Sequence, residues 1–116
     1  MEENLSRVSD DVISVCAANA VLRTDGVAAL AGGLSNAISM TFRKKESISK
    51  GIKVEETDDG LVLDVFLIVD YGAKIPEVAW NVQHSVRDEV ELMADMAISA
   101  VNVHVQGVKK EKDDQK

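Results

Sequence analysis

The chain has 116 residues, a formal net charge of −7 and 46% hydrophobic residues, of which few are rings: aromatic residues make up only 3%. That length suits one domain with a real core rather than two, and a core without rings must be built from Val, Ile, Leu, Ala and Met. The negative field repels nucleic acid and anionic headgroups, the scarcity of rings argues against stacked-cofactor sites, and no apolar run approaches the roughly 20 residues that span a bilayer.

Residues 1–8 read as a flexible N-terminus, acidic and without the apolar region of a secretory signal. Cys16, the single cysteine, can make neither an intramolecular disulfide nor a cysteine-based zinc site, which fits a reducing cytoplasm. The first helix is predicted from Ser9 to Arg23, with Ser9 as N-cap, Asp10 and Asp11 in the first turn and Asp25-Gly26 as the stop. Its interior, VISVCAANAVL, is apolar nearly all round, which predicts packing on more than one side. Cys16 falls on a stripe with Val12 and Ala20 and reads as a buried structural thiol rather than a nucleophile.

Val27 to Ala31 reads as a short strand ended by Gly32-Gly33. Leu34, Ile38 and Phe42 recur at the spacing of a short helix, which ends in the basic run Arg43-Lys44-Lys45. Ile52–Thr57 and Leu61–Val69 are two strands joined by the Asp58-Asp59-Gly60 turn. In the second of these, Leu61, Leu63, Val65, Leu67 and Val69 share one face and Val62, Asp64, Phe66 and Ile68 the other, so the strand is central, with one face only partly dry.

After the Tyr71-Gly72 corner comes the most amphipathic helix. Pro76 suits its first position, Glu77 complements the helix dipole, and Val78, Ala79, Val82, Val86, Val90 and Met93 form its buried stripe. Ser99 to Gln106 alternates as a strand, with Asn102, His104 and Gln106 on a wet face. Strand, helix and strand in this order predict a right-handed crossover with parallel strands. Residues 109–116 carry no apolar side chain and read as a disordered charged tail.

The sum is one α+β domain over residues 9–108. Its helices pack on one face of a small mixed β-sheet in two layers, in the order α-β-(α)-β-β-α-β. The half-apolar second face, with Phe66 and Ile68, is to be covered by the Leu34–Phe42 helix or by another subunit. No metal-ligand spacing, nucleophile elbow, Walker or dinucleotide-binding pattern occurs, so the expectation is no catalytic residue, no metal and no cofactor. One residue stands apart: Trp80 lies roughly 140° from the centre of the buried stripe, on the side of His84, Arg87 and Glu91. An outward Trp beside Arg is the pair most enriched at interface hot spots, which makes Trp80, His84 and Arg87 a candidate interaction patch.

Four segments, GVAALAGG (26–33), SKGIKVE (49–55), VDYGAKIPEVAWNVQHSV (69–86) and VNVHVQGV (101–108), resemble the alkaline-shock / general-stress protein family of Gram-positive bacteria. The most specific matches are Tyr71-Gly72, Ile75-Pro76-Glu77-Val78-Ala79, Gln83, Asn102 and Gln106-Gly107-Val108, which marks Tyr71, Gly72, Pro76, Glu77 and Gly107 as motif residues of structural weight. The resemblance implies a cytoplasmic, non-enzymatic envelope-stress protein that self-associates and is held at the membrane through a separate small membrane-anchoring protein. It implies neither nucleic-acid binding nor direct membrane insertion. A second role it implies is regulation of a cytoplasmic, fatty-acid biosynthetic enzyme. Two departures are visible: Asp95 stands at a left-handed corner where the family has Gly, and the N-terminal segment keeps only Leu5 and Val8 of an apolar alternation.

Overall fold

The computed structural model describes residues 8–31 and 51–110. Ser9 begins the fold: its hydroxyl accepts a hydrogen bond from the Val12 amide at 3.2 Å and caps α1 (Asp10–Leu22). Asp10 and Asp11 occupy the first turn, where negative charge offsets the exposed amide dipoles. Arg23 closes the helix, and the Thr24 hydroxyl donates to the Ala20 carbonyl at 2.9 Å. The chain then turns through Gly26 at φ +95° into β1 (Val27–Leu30), and a β-carbon on Gly26 would stand 2.5 Å from Val78 Cγ2. Glycine is required there both for the backbone angle and for the close approach of the second helix.

β2 (Ile52–Thr57) and β3 (Gly60–Asp70) form the predicted hairpin, with Thr57 opposite Gly60. The Thr57 hydroxyl donates to the Gly60 carbonyl at 2.7 Å and accepts from the Asp59 amide at 3.2 Å, so one side chain satisfies both ends of the turn. α2 (Ile75–Ala94) follows, with Lys74 as N-cap and Pro76 at its second position, one later than expected. Either position lacks an intrahelical partner for the N–H, so proline costs nothing. β4 (Ile98–Lys109) completes the sheet and runs one residue into the segment read as tail.

β3 is the central strand. β4 pairs with it in parallel along one edge, as the strand–helix–strand order predicted. On the other edge β2 pairs antiparallel with the first half of β3 and β1 with its end, so β1 and β2 lie end to end. Phe66 joins them: its carbonyl accepts from the Ala31 amide at 2.7 Å and its amide donates to the Gly51 carbonyl at 2.9 Å. The expected helix Leu34–Phe42 and the basic cluster Arg43–Lys45 lie outside the described residues.

Both helices cover one face of the mixed sheet. Leu61, Leu63, Val65, Leu67 and Val69 of β3 are almost fully buried beneath Val78, Val82, Val86 and Val90 of α2 and Ile13, Ala17 and Val21 of α1. Each buried Val or Leu side chain contributes about 1.5–3 kcal/mol of apolar transfer free energy, so this layer is the main source of stability.

Two stripe assignments are corrected. Met93 is 61% exposed, and Ala94 holds the fifth buried position of α2. The chain turns toward β4 at Asp95, so the last helical turn buries the side facing that strand and leaves Met93 in solvent. In α1 the buried side is centred on Ala17; Val12 is exposed and Cys16 only half-buried. The uniform hydrophobicity of α1 gave no sign of which side was in, and the helix keeps one apolar side outward rather than packing all round.

Candidate functional site

The geometry of the candidate patch follows from the three sides that α2 presents around its buried stripe. On one side it meets α1. Glu89 accepts a charged hydrogen bond from Arg23 Nη2 at 3.3 Å, its backbone carbonyl accepts from Cys16 Sγ at 3.6 Å, and the Thr24 hydroxyl reaches Ser85 Oγ at 3.5 Å. Burial pushes the Cys16 thiol up from its ordinary pKa, the nearby Glu89 carboxylate pushes it further, and Arg23 opposes them. A thiol held protonated in this way is a poor nucleophile.

On the other side α2 is stapled to β4. Gln83 Nε2 donates to the Val101 carbonyl at 3.0 Å, Arg87 Nη1 donates to the Ile98 carbonyl at 2.8 Å, and Glu91 Oε2 accepts from the Ile98 amide at 3.0 Å. These side chains occupy outward-pointing backbone groups of a strand that has β3 along its other edge. Arg87 is thus turned to the sheet, where it holds helix and strand together.

Trp80 and His84 sit beside this staple on the outer surface. Trp80 is 58% exposed, and its ring stacks on His84 with 3.8 Å between ring centroids and 29° between planes. His84 Nδ1 lies 2.9 Å from the Trp80 carbonyl, the acceptor one helical turn back. A hydrogen on Nδ1 fills that contact and holds the imidazole flat against the indole. The pair forms an aromatic platform fixed by its own helix, with little conformational freedom left to lose on contact.

Phe66 and Ile68 lie elsewhere, on the sheet face opposite the helices, and are half-buried. They cannot form one surface with Trp80. The residue reading missed what accompanies them. Asp64 Oδ1 accepts from Asn102 Nδ2 at 3.1 Å and from His104 Nε2 at 3.0 Å, and the His104 ring stacks on Phe66 at 4.5 Å. The signal was available in the register, since a parallel β3–β4 pair sets Asp64 opposite Asn102 and Phe66 opposite His104. Burial alone would raise the Asp64 pKa; the hydrogen bonds from His104 and Asn102 and the charges of His104 and Lys53 outweigh it and leave the carboxyl below its usual value.

The motif residues gather at the start of α2. Tyr71 is 64% exposed, Gly72 holds φ +92° with open space around it, and Pro76 and Glu77 are exposed in the first turn. Val69, Tyr71, Ala73, Ile75 and Val108 line an open, mainly apolar pocket of about 340 Å³ at this corner. Gly107 lies in β4 next to the register shift against Ile68, where a β-carbon would be 3.4 Å from Ile68 Cδ1. Among the described residues no group of three or more His, Cys, Asp or Glu side chains could hold a metal ion, and no helix is long and apolar enough to cross a membrane.

Comparison with known proteins bears directly on this arrangement. The model of the ASP23 (alkaline-shock) family, described as having a cell envelope-related function, matches residues 2–110. The chain belongs to this family. Uncharacterized protein YqhY of Bacillus subtilis is 35% identical to this member over 101 residues, covering 87% of the chain and 74% of YqhY. Uncharacterized protein Spy1614 of Streptococcus pyogenes serotype M6 is 34% identical over 111 residues, with 93% and 90% covered. A stress response regulator gls24 homolog of Streptococcus pyogenes is 26% identical over 100 residues, which are 86% of the chain and 56% of that protein. No solved structure gives a significant match.

Proposed function

We propose that this domain is a non-catalytic contact module of the envelope stress response, acting by self-association and by docking to a small membrane-anchoring protein. The observation that carries the reading is the Trp80–His84 platform: the only tryptophan of the chain is turned outward and held in place by a stacked neighbour. A rigid aromatic of this kind is the side chain most enriched where binding energy is concentrated. The family's cell envelope-related description and the stress-response name of the gls24 homolog support the setting.

The test is light scattering behind size exclusion over a range of protein concentrations. Wild type grows in mass with concentration, and Trp80→Ala weakens the association constant by about 2 kcal/mol, roughly thirtyfold. An unchanged constant in a folded variant removes Trp80 from the interface. For docking, the immobilised domain retains a small membrane protein from detergent-solubilised envelopes, and Trp80→Ala retains less of it; equal retention by both places the anchor elsewhere.

A further inference from the structure

β4 pairs with β3 along one edge, and only the first part of its other edge is covered. Phe66 turns its amide and carbonyl toward β1 and β2, so its neighbours Val65 and Leu67 turn theirs toward β4, where Asn102 and His104 answer them. Val101, Val103 and Val105 therefore direct their backbone groups outward. Gln83 on the Val101 carbonyl, with Arg87 and Glu91 on Ile98, occupies the start of that edge. Among the described residues no side chain reaches the backbone of Val103 or Val105, and no further strand pairs there.

The path of α2 explains the gap. At its start Val78 packs against Gly26, next to β1 on the far side of β3, and by Arg87 and Glu91 the helix has reached the outer edge of β4. It crosses the sheet and leaves the edge bare beyond Val101. Trp80 falls between Arg87 and Glu91 on a helical wheel, so its indole is directed to this same edge, one turn before Gln83. A bare edge is a template for another strand, and proteins guard such edges with charge, proline or a covering element. Residues 96–108 contain no Asp, Glu, Lys, Arg or Pro, and charge returns only at Lys109 and Lys110.

We propose that the Val103–Val105 edge of β4 is a homodimer contact, in which two copies join antiparallel across a two-fold axis into one continuous sheet. This deepens the self-association reading above and rests on it. Two chains of net charge −7 repel each other, and the uncharged stretch lets them meet without setting acid against acid. Symmetry fixes the alignment, because outward backbone groups must face outward backbone groups. Val103 against itself would need the Val101 carbonyl that Gln83 holds. Val105 against itself would leave Val103 facing Gly107, whose groups turn to β3 after the register shift. The match that remains sets Val103 opposite Val105 of the second copy, and the reverse. His104 then faces its counterpart on the outer sheet face, each ring keeping its own Asp64 at 3.0 Å to offset the charge of a protonated imidazole. Trp80 of each copy lies over the join on the helix side.

The experiment is sedimentation equilibrium of the full chain, with circular dichroism melts to confirm that each variant is folded. Val105→Pro removes an amide that points out of the sheet, so the β3–β4 ladder keeps its bonds. It weakens dimerisation at least about tenfold, because each copy loses a donor at the join. Alignment is read separately on a Cys16→Ser background, independently of how well the proline variant folds. The antiparallel match sets Asn102 opposite Gln106 of the second copy, within disulfide reach. Mixing Asn102→Cys chains with Gln106→Cys chains therefore gives the mixed disulfide in excess over either self-disulfide. Equal amounts, or self-disulfides in excess, overturn the edge contact. Association that Trp80→Ala weakens but a folded Val105→Pro leaves unchanged also overturns it and spares self-association. A wild type that stays monomeric at every concentration overturns both.

Discussion

Asp95 shows how a single residue can hold backbone strain at a helix end. It caps α2 at φ +56° and ψ +39°, with its amide donating to the Glu91 carbonyl at 3.0 Å. This is the left-handed conformation expected from the residue's position at a glycine corner. Among non-glycine residues Asp and Asn tolerate it best, yet the β-carbon still crowds the following carbonyl. Asp95→Gly is therefore expected to raise stability by about 0.5–1 kcal/mol, seen as a higher urea midpoint at unchanged slope. A lower midpoint would mean that the Asp95 side chain stabilises the corner by more than its backbone strain costs. Asp64 makes a second residue-scale prediction. Its native pKa lies below the unfolded value of about 3.9, so its stabilising contribution is fully present above that pH and is lost as pH falls through the native value. Urea stability of wild type should decline as pH is lowered from about 5 to 3, and Asp64→Asn should flatten part of that slope. Parallel slopes for the two proteins would assign the acid sensitivity to other carboxylates.

At the scale of elements, the staple between α2 and β4 separates a structural role from a contact role. Arg87 was read from the wheel as a partner of Trp80 because both lie on the same outer side of α2. The structure turns its guanidinium onto the Ile98 carbonyl. Arg87→Ala should lower stability by about 1–2 kcal/mol, the cost of leaving a partly buried carbonyl without its charged donor, while the association constant stays put. Loss of association at unchanged stability would restore Arg87 to the patch. The contrast marks what the sequence makes legible. Elements with a single periodicity were read correctly: the β2–β3 hairpin, α2 and the parallel β3–β4 pair follow from turn chemistry and from spacings of two and four. What failed depends on the neighbouring element. Which side of α1 is buried was hidden because every side is apolar, and the fate of Met93 was set by the direction of the corner after it. The Asp64–Asn102–His104 network needed only the β3–β4 register, yet its residues are about 40 positions apart in the chain and no local pattern joins them.

At the scale of the molecule, the two flanks of α2 differ, since Ser85 and Glu89 face α1 while Gln83, Arg87 and Glu91 face β4, with the Trp80–His84 platform open beside them. In the function proposed above, copies join through that platform. A chain carrying a net charge of −7 resists such growth by self-repulsion, which added salt screens. The expected result is a wild-type mass that rises with salt as well as with concentration, and a Trp80→Ala mass that rises less under matched conditions. A wild-type mass that falls as salt is added would mean that attraction between charged groups, rather than aromatic contact, holds the copies together.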